Sequence, residues 1–204
     1  MGITIHHRLS IQKVNVKRTL DRTANLALNL ANAQAPAVAI PFKVRRLSDY
    51  QLLIDIGNCE TLAFDFKSVK EIKAEAEKGW SYLHATLTED GKKPLDEGYM
   101  IEKYPQNEIY YASGFCKTQF AKSIIEHKWV ADLIRSVASY CLTADVSDEG
   151  DYYHTGNLED ATEAISSLGV MINGIGNALN AQFGTDNVVK GGDTTIKSRK
   201  TKNK

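Results

Sequence analysis

The chain has 204 residues, 43% of them hydrophobic and 25% charged. That balance excludes the disordered and membrane-embedded classes, and the length lets one core close without disulfide or metal staples. The formal net charge of zero hides an asymmetry: residues 190–204 hold six basic residues against Asp193 alone, which leaves the body at −5.

A tail of this kind is a solvated terminus or a contact for acidic partners. No aromatic residue interleaves with its charges, and nucleic acid is not expected as a partner except through this segment. No apolar run is long enough to span a bilayer, and the opening MGITIHHRLS alternates instead of forming a signal-peptide core, so neither membrane nor export is expected. Cys59, Cys116 and Cys141 are odd in number and widely spaced, which suits reduced thiols in a cytoplasm.

In chain order, Ile3 and Ile5 alternate with polar residues as far as Leu9, the pattern of a half-buried strand. Val16, Leu20, Ala24, Ala27 and Ala31 then share one face of a helix from about Asn15 to Ala33. Pro36 and Pro41 mark a linker. A strand with Phe42, Val44 and Arg46 on one face is followed by a hairpin. Leu52, Ile54 and Ile56 alternate before Gly57-Asn58, and Leu62, Phe64 and Phe66 alternate after it. Ser68 and Glu71 have capping-box spacing, placing a helix from Ser68 to about Lys78, with Gly79 as its stop.

Trp80 to Leu95 reads as strand-like around a turn at Glu89-Asp90-Gly91. Tyr99 to Tyr104 and Ile109 to Phe115 form a second expected hairpin through Pro105-Gln106-Asn107. Phe120, Ile124, His127, Ala131, Ile134, Ala138 and Cys141 line the inner face of a helix from about Gln119 to Tyr140. A short strand around Ala144 and Val146 precedes a turn at Asp148 to Asp151. Asn157 caps a last helix whose seam is Leu158, Ala161, Ile165, Leu168, Ile172, Ile175 and Leu179, stopping at Gly184. The fold class is therefore α+β, a mainly antiparallel sheet with helices packed on one face. Residues 1–184 are read as one domain and 185–204 as a disordered basic tail.

Three polar groups sit at element junctions. Lys117, Thr118 and Gln119 lie between aromatic residues where a strand enters a helix. Free backbone N–H groups and a lysine there suit an anion, and capping by Thr118 is the structural counterpart. His127, on an apolar helix face, must hydrogen-bond, titrate or ligate. Asp148 and Glu149 offer it a partner or a general base, or else form a solvated turn with Gly150 at positive φ. His6 and His7 point to opposite faces of their strand, so at most one joins a shared pocket.

No H-x-x-x-H or H-x-H spacing supports a metal, no Gly-rich run makes a P-loop and no G-x-S-x-G elbow is present. Cys116 beside Lys117 is a candidate for an activated thiol. No cofactor is expected.

MGITIHHRL at the start, FCKTQFA at Phe115 to Ala121 with His127 beyond it, and SDEGDYYHTGN at Ser147 to Asn157 together resemble an uncharacterised bacterial protein family. The family carries an MGITIH strand, a KTQ-A segment and a DEG-Y motif in this order. Tyr153 and His154 stand where the family has Trp and Glu, and Asn157 where it has Asp. The resemblance implies no activity.

The residues support two functional readings, beside a third in which structural assembly through the last helix leaves the polar residues as turn and cap chemistry. The first is a non-enzymatic binding or interaction protein with a polar cleft near Lys117 and Asp148, taking a small anion or a protein partner, with homo-oligomerisation open. The second is an enzyme on a small anionic substrate, with His127 and Asp148 or Glu149 exchanging protons. The binding candidates are Lys117, Thr118, Gln119, His127, Asp148, Glu149, Tyr153 and His6. A strand ending at Lys117 and another near Val146, side by side and parallel beneath their connecting helix, would bring Lys117, His127 and one carboxylate together.

Overall fold

The computed structural model describes residues 3–34, 39–78, 108–119, 121, 123–159, 162–163 and 166–167. Strand β1 (Thr4–Gln12) buries Ile5, His7, Leu9 and Ile11 on one face. It runs directly into α1 (Lys13–Asn32), whose buried stripe is Val16, Thr19, Leu20, Thr23 and Ala27. The two threonines are tolerated because the Thr23 hydroxyl donates to the Thr19 carbonyl at 3.0 Å, the back-bond that satisfies a hydroxyl inside a helix.

The next three strands, β2 (Phe42–Ser48), β3 (Gln51–Ile56) and β4 (Leu62–Asp65), form an antiparallel sheet in sequence order. Strict alternation drives it. Leu52, Ile54, Ile56, Leu62 and Phe64 are buried, and their odd-numbered neighbours on β3 are half-exposed. The chain then passes through β5 (Lys67–Ser68) into α2 (Val69–Lys78). The expected capping box is formed: the Ser68 N–H and hydroxyl donate to Glu71 at 2.8 and 2.7 Å, and the Glu71 N–H donates back at 3.3 Å.

Strand β6 (Ile109–Lys117), helix α3 (Ile124–Ala138), strand β7 (Thr143–Asp148) and the single turn α4 (Tyr152–Thr155) complete the described elements. The second sheet has the order β5-β6-β1-β7 with every pairing antiparallel. The α+β class thus holds, with the strands divided between two antiparallel sheets. Both sheets contribute to one buried cluster with α1 and α3: Ile5, Leu9, Leu52, Ile54, Phe64, Leu20, Val130 and Ile134 belong to it.

Two details differ from the periodicity. Helix α3 begins at Ile124 and not near Gln119, because Ser123 in extended conformation accepts the Ile125 N–H at 3.2 Å and supplies the cap. The strands flanking α3 are parallel but not adjacent. Each pairs antiparallel with β1, which lies between them. The crossover therefore spans two inter-strand steps, about 10 Å, within reach of a 15-residue helix.

Trp80 to Leu95, the strand at Tyr99 to Tyr104 and the basic tail lie outside the described residues. So does the last-helix seam beyond Leu158, which itself packs on the core. Among the described residues no helix is long and apolar enough to cross a membrane.

Candidate functional site

Thr118 follows the last residue of β6, and its N–H donates to the Ile3 carbonyl at 2.9 Å, which docks the β6 end on the start of β1. Its hydroxyl is 2.7 Å from His127 Nδ1. His127, in the first turn of α3, directs Nε2 to Asp148 Oδ2 at 3.3 Å. Asp148 ends β7, where it also accepts the Gly150 N–H on Oδ1 at 2.8 Å and the Tyr153 N–H on Oδ2 at 2.7 Å. Facing a carboxylate, Nε2 donates its proton to Asp148, while Nδ1 faces the Thr118 hydroxyl, which also donates to the Ile3 carbonyl at 3.3 Å.

The result is a chain of hydroxyl, imidazole and carboxylate with no polar atom left over. Burial alone would push the Asp148 carboxyl up. The hydrogen bond and charge of His127, with the Tyr153 and Gly150 amides, outweigh burial and hold it below its ordinary 3.8. Thr118, His127 and Asp148 are only 1%, 0% and 8% exposed.

The segment after β7 is shaped by the same residues. A Cβ on Gly150 would lie 2.8 Å from His127 Nε2, so glycine is needed there for space. The sequence suggested a positive φ at Gly150; that conformation falls instead on Asp151, at φ 57°. Arg135 on α3 fastens α4 from outside. Its guanidinium donates to the Tyr152 carbonyl at 2.6 Å and to the Tyr153 carbonyl, lies over both rings at 4.8 and 5.3 Å, and is paired with Asp132 at 3.1 Å.

Glu149 is tied to the first strand: its carboxylate accepts the Thr4 N–H at 2.8 Å and its own N–H donates to the Thr4 carbonyl at 3.1 Å. Tyr153 joins the cluster through its backbone, while its half-buried ring meets His154 edge-on at 5.2 Å. Burial raises the Tyr153 phenol above its usual value.

Three candidates lie apart. Lys117 pairs with Glu60 at 3.4 Å and lies over the Phe115 ring at 5.5 Å. Adjacent residues on a strand face opposite ways, so where Thr118 turns inward Lys117 turns out. Gln119 is half-buried, and its side-chain amide makes no hydrogen bond among the described residues. His6 is exposed on the outer face of β1, its ring 5.9 Å from Phe115. Cys116 is also not the activated thiol its neighbour suggested. It donates to the Glu60 carbonyl at 3.0 Å, and burial pushes it up to about 12.

Two further groups are buried: Glu126, which the sequence does not single out, and His7, the inward member of the His6-His7 pair. Glu126 precedes His127 and is 2% exposed. Its carboxylate accepts the Asn58 N–H at 3.2 Å and the Cys59 thiol at 3.8 Å, pressed against Gly57 at φ 52°. A glutamate in the first helical turn reads as an ordinary dipole partner, and its neighbour His127, together with the Gly57-Asn58 turn, was the available hint. His7 is 1% exposed, wedged against Phe64 and Gly114, with neither ring nitrogen hydrogen-bonded among the described residues.

Among the described residues no group of three His, Cys, Asp or Glu side chains is placed to hold a metal. An open groove of about 630 Å³ lies elsewhere, on α2, lined by Ser68, Lys70, Lys73, Glu77 and Tyr110 among others. Comparison with family models, with curated proteins and with solved structures finds no match for this chain.

Proposed function

We propose that this protein is a non-enzymatic binding or interaction protein of the cytoplasm, in which Thr118, His127 and Asp148 brace a recognition surface and do not act on a substrate. The observation that carries the reading is that the hydroxyl-imidazole-carboxylate chain is both buried and internally satisfied. An attacking hydroxyl needs a reacting atom within about 3 to 3.5 Å, and the Thr118 hydroxyl is already engaged by His127 and near the Ile3 carbonyl at 3.3 Å. The more accessible polar groups next to the cluster in sequence are Lys117, Gln119, Glu149 and the Tyr153 segment. They suit a small anion or a protein partner. Free cysteines support the cytoplasmic assignment.

Membership in the bacterial family with the MGITIH, KTQ-A and DEG-Y motifs is part of the same proposal. Its support is that the three motifs meet, through Ile3 and Thr4, Thr118, and Asp148 with Glu149.

The second reading is an enzyme acting on a small anionic substrate, with His127 and Asp148 or Glu149 as acid and base. One observation favours it: hydroxyl, imidazole and carboxylate stand in the order used by nucleophilic hydrolases. A panel of phosphate monoesters and carboxylate esters separates the two. We expect no turnover above background; turnover lost in both His127→Gln and Thr118→Val, with the fold intact, would establish the enzyme. Titration with inorganic phosphate, followed by amide NMR shifts, tests the anion form: saturating shifts at Lys117 and Gln119 are expected, and their absence would remove it.

A further inference from the structure

Glu126 and His127 are consecutive in the first turn of α3, yet they hold different sheets. Glu126 reaches the turn between β3 and β4, where it accepts from Asn58 and Cys59. His127 reaches the end of β7 through Asp148, which in turn holds Gly150 and Tyr153. We propose that the first turn of α3 is a mechanical coupler, so that the 57–59 turn of one sheet and the 148–153 segment of the other loosen and tighten together. A ligand or partner that ordered either segment would then be felt at the other.

Three features carry this beyond mere proximity. The first is stiffness: Ser123 caps α3, and the Glu126 N–H donates to the Ser123 carbonyl at 3.0 Å, so residues 126 and 127 share one closed turn. The second is lack of slack on either side. A Cβ at Gly57 would lie 2.6 Å from the Glu126 carboxyl carbon, and one at Gly150 would lie 2.8 Å from His127 Nε2. Each side chain thus fills the space beside a glycine that any larger residue would need, so the turn and both segments are packed side chain against backbone.

The third feature is that the 148–153 segment has a second hold on the same helix, through Arg135 and the Tyr152 and Tyr153 carbonyls. It therefore moves with α3 as a unit. Packed elements of this sort have discrete arrangements and do not deform continuously. The coupling is reciprocal because it is a free energy shared by two sites.

Native-state amide hydrogen exchange tests the proposal on the full chain. Asp148→Asn weakens the strap on the 148–153 side only, and Glu126→Gln weakens the other only. We expect Asp148→Asn to speed exchange at the Asn58 amide about fivefold or more, the lower range of typical coupling energies. Glu126→Gln should speed Gly150 and Tyr153 comparably. Both effects are measured relative to the core amides of Leu52 and Ile54.

Acceleration confined to the segment that was mutated would overturn the proposal. So would an equal acceleration of the core amides, which would mean simple global destabilisation. Should either variant fail to fold, Gly150→Ala displaces His127 without deleting a hydrogen-bonding group, and the Asn58 amide gives the same readout. Lys17→Ala, at the exposed Lys17–Asp49 pair, is the control that should move neither segment.

Discussion

His127 and His7 are both fully buried, one at the first turn of α3 and one on the inner face of β1. His127 has both nitrogens engaged, by the Thr118 hydroxyl and the Asp148 carboxylate. Among the described residues neither nitrogen of His7 has a well-formed hydrogen bond, and the ring faces Phe64 and Gly114. The same side chain is therefore a polar connector in one place and an uncompensated polar group in the other. Burial lowers the His7 imidazole to about 4, the Ala63 carbonyl opposing this only in part and the nearby His6 adding to it. The pair shows that the value of a buried histidine is set by which acceptors and donors the fold brings to it.

The comparison is broken most severely by removing the connected histidine. His127→Ala leaves the Thr118 hydroxyl with the Ile3 carbonyl alone and Asp148 buried with backbone partners alone, and should cost about 3 to 5 kcal/mol, the range for removing one partner of a buried pair. Chemical denaturation measures it. A loss under about 1 kcal/mol would mean that the cluster is not a brace.

The unconnected histidine is sharpened by acid. Its folded value lies below the unfolded one, so His7 leaves stability unaffected above pH 6.5. Between pH 6.5 and about 4 the unfolded chain takes up a proton that the folded chain refuses, and stability falls. The displacement from 6.5 to about 4 corresponds to about 3 kcal/mol at its full extent. His7→Leu should flatten the stability profile across this window, and a variant whose profile matches the unmodified protein would show that other groups cause the acid loss. Protonation of Asp148, whose carboxyl is held below 3.8, enters only at lower pH.

The smallest expected effect belongs to Lys117, which the sequence placed beside the carboxylates and the structure places on Glu60. Both partners of that pair are about 40% exposed, and exposed pairs contribute little. Lys117→Ala should change the unfolding free energy by less than about 0.5 kcal/mol. A loss near that of His127→Ala would mean that Lys117 belongs to the brace after all.

Much of this protein was legible from residue order alone. Local rules act between neighbours, so alternation at Leu52, Ile54 and Ile56 marked a strand, three- and four-residue spacing at Val16 and Leu20 marked a helix, and Ser68 with Glu71 marked a cap. The junction motifs were visible because polar residues beside apolar faces require partners. The identity of those partners was not legible. The insertion of β1 between β6 and β7, which carries the Ile3 carbonyl to Thr118 and Thr4 to Glu149, joins positions more than a hundred residues apart.

Nor could spacing distinguish His6 from His7, or show that Glu126 serves the 57–59 turn while His127 serves Asp148. Residue order alone determined which segments become strands and helices and which side chains need compensation, because those depend on contacts within a few residues. Only the tertiary structure decided that Thr118 and not Lys117 meets His127 and that, among the described residues, neither His7 nitrogen gains a well-formed hydrogen bond. Hydrogen bonds are selective over a few tenths of an ångström, and only the packing of both sheets against α3 sets positions that finely.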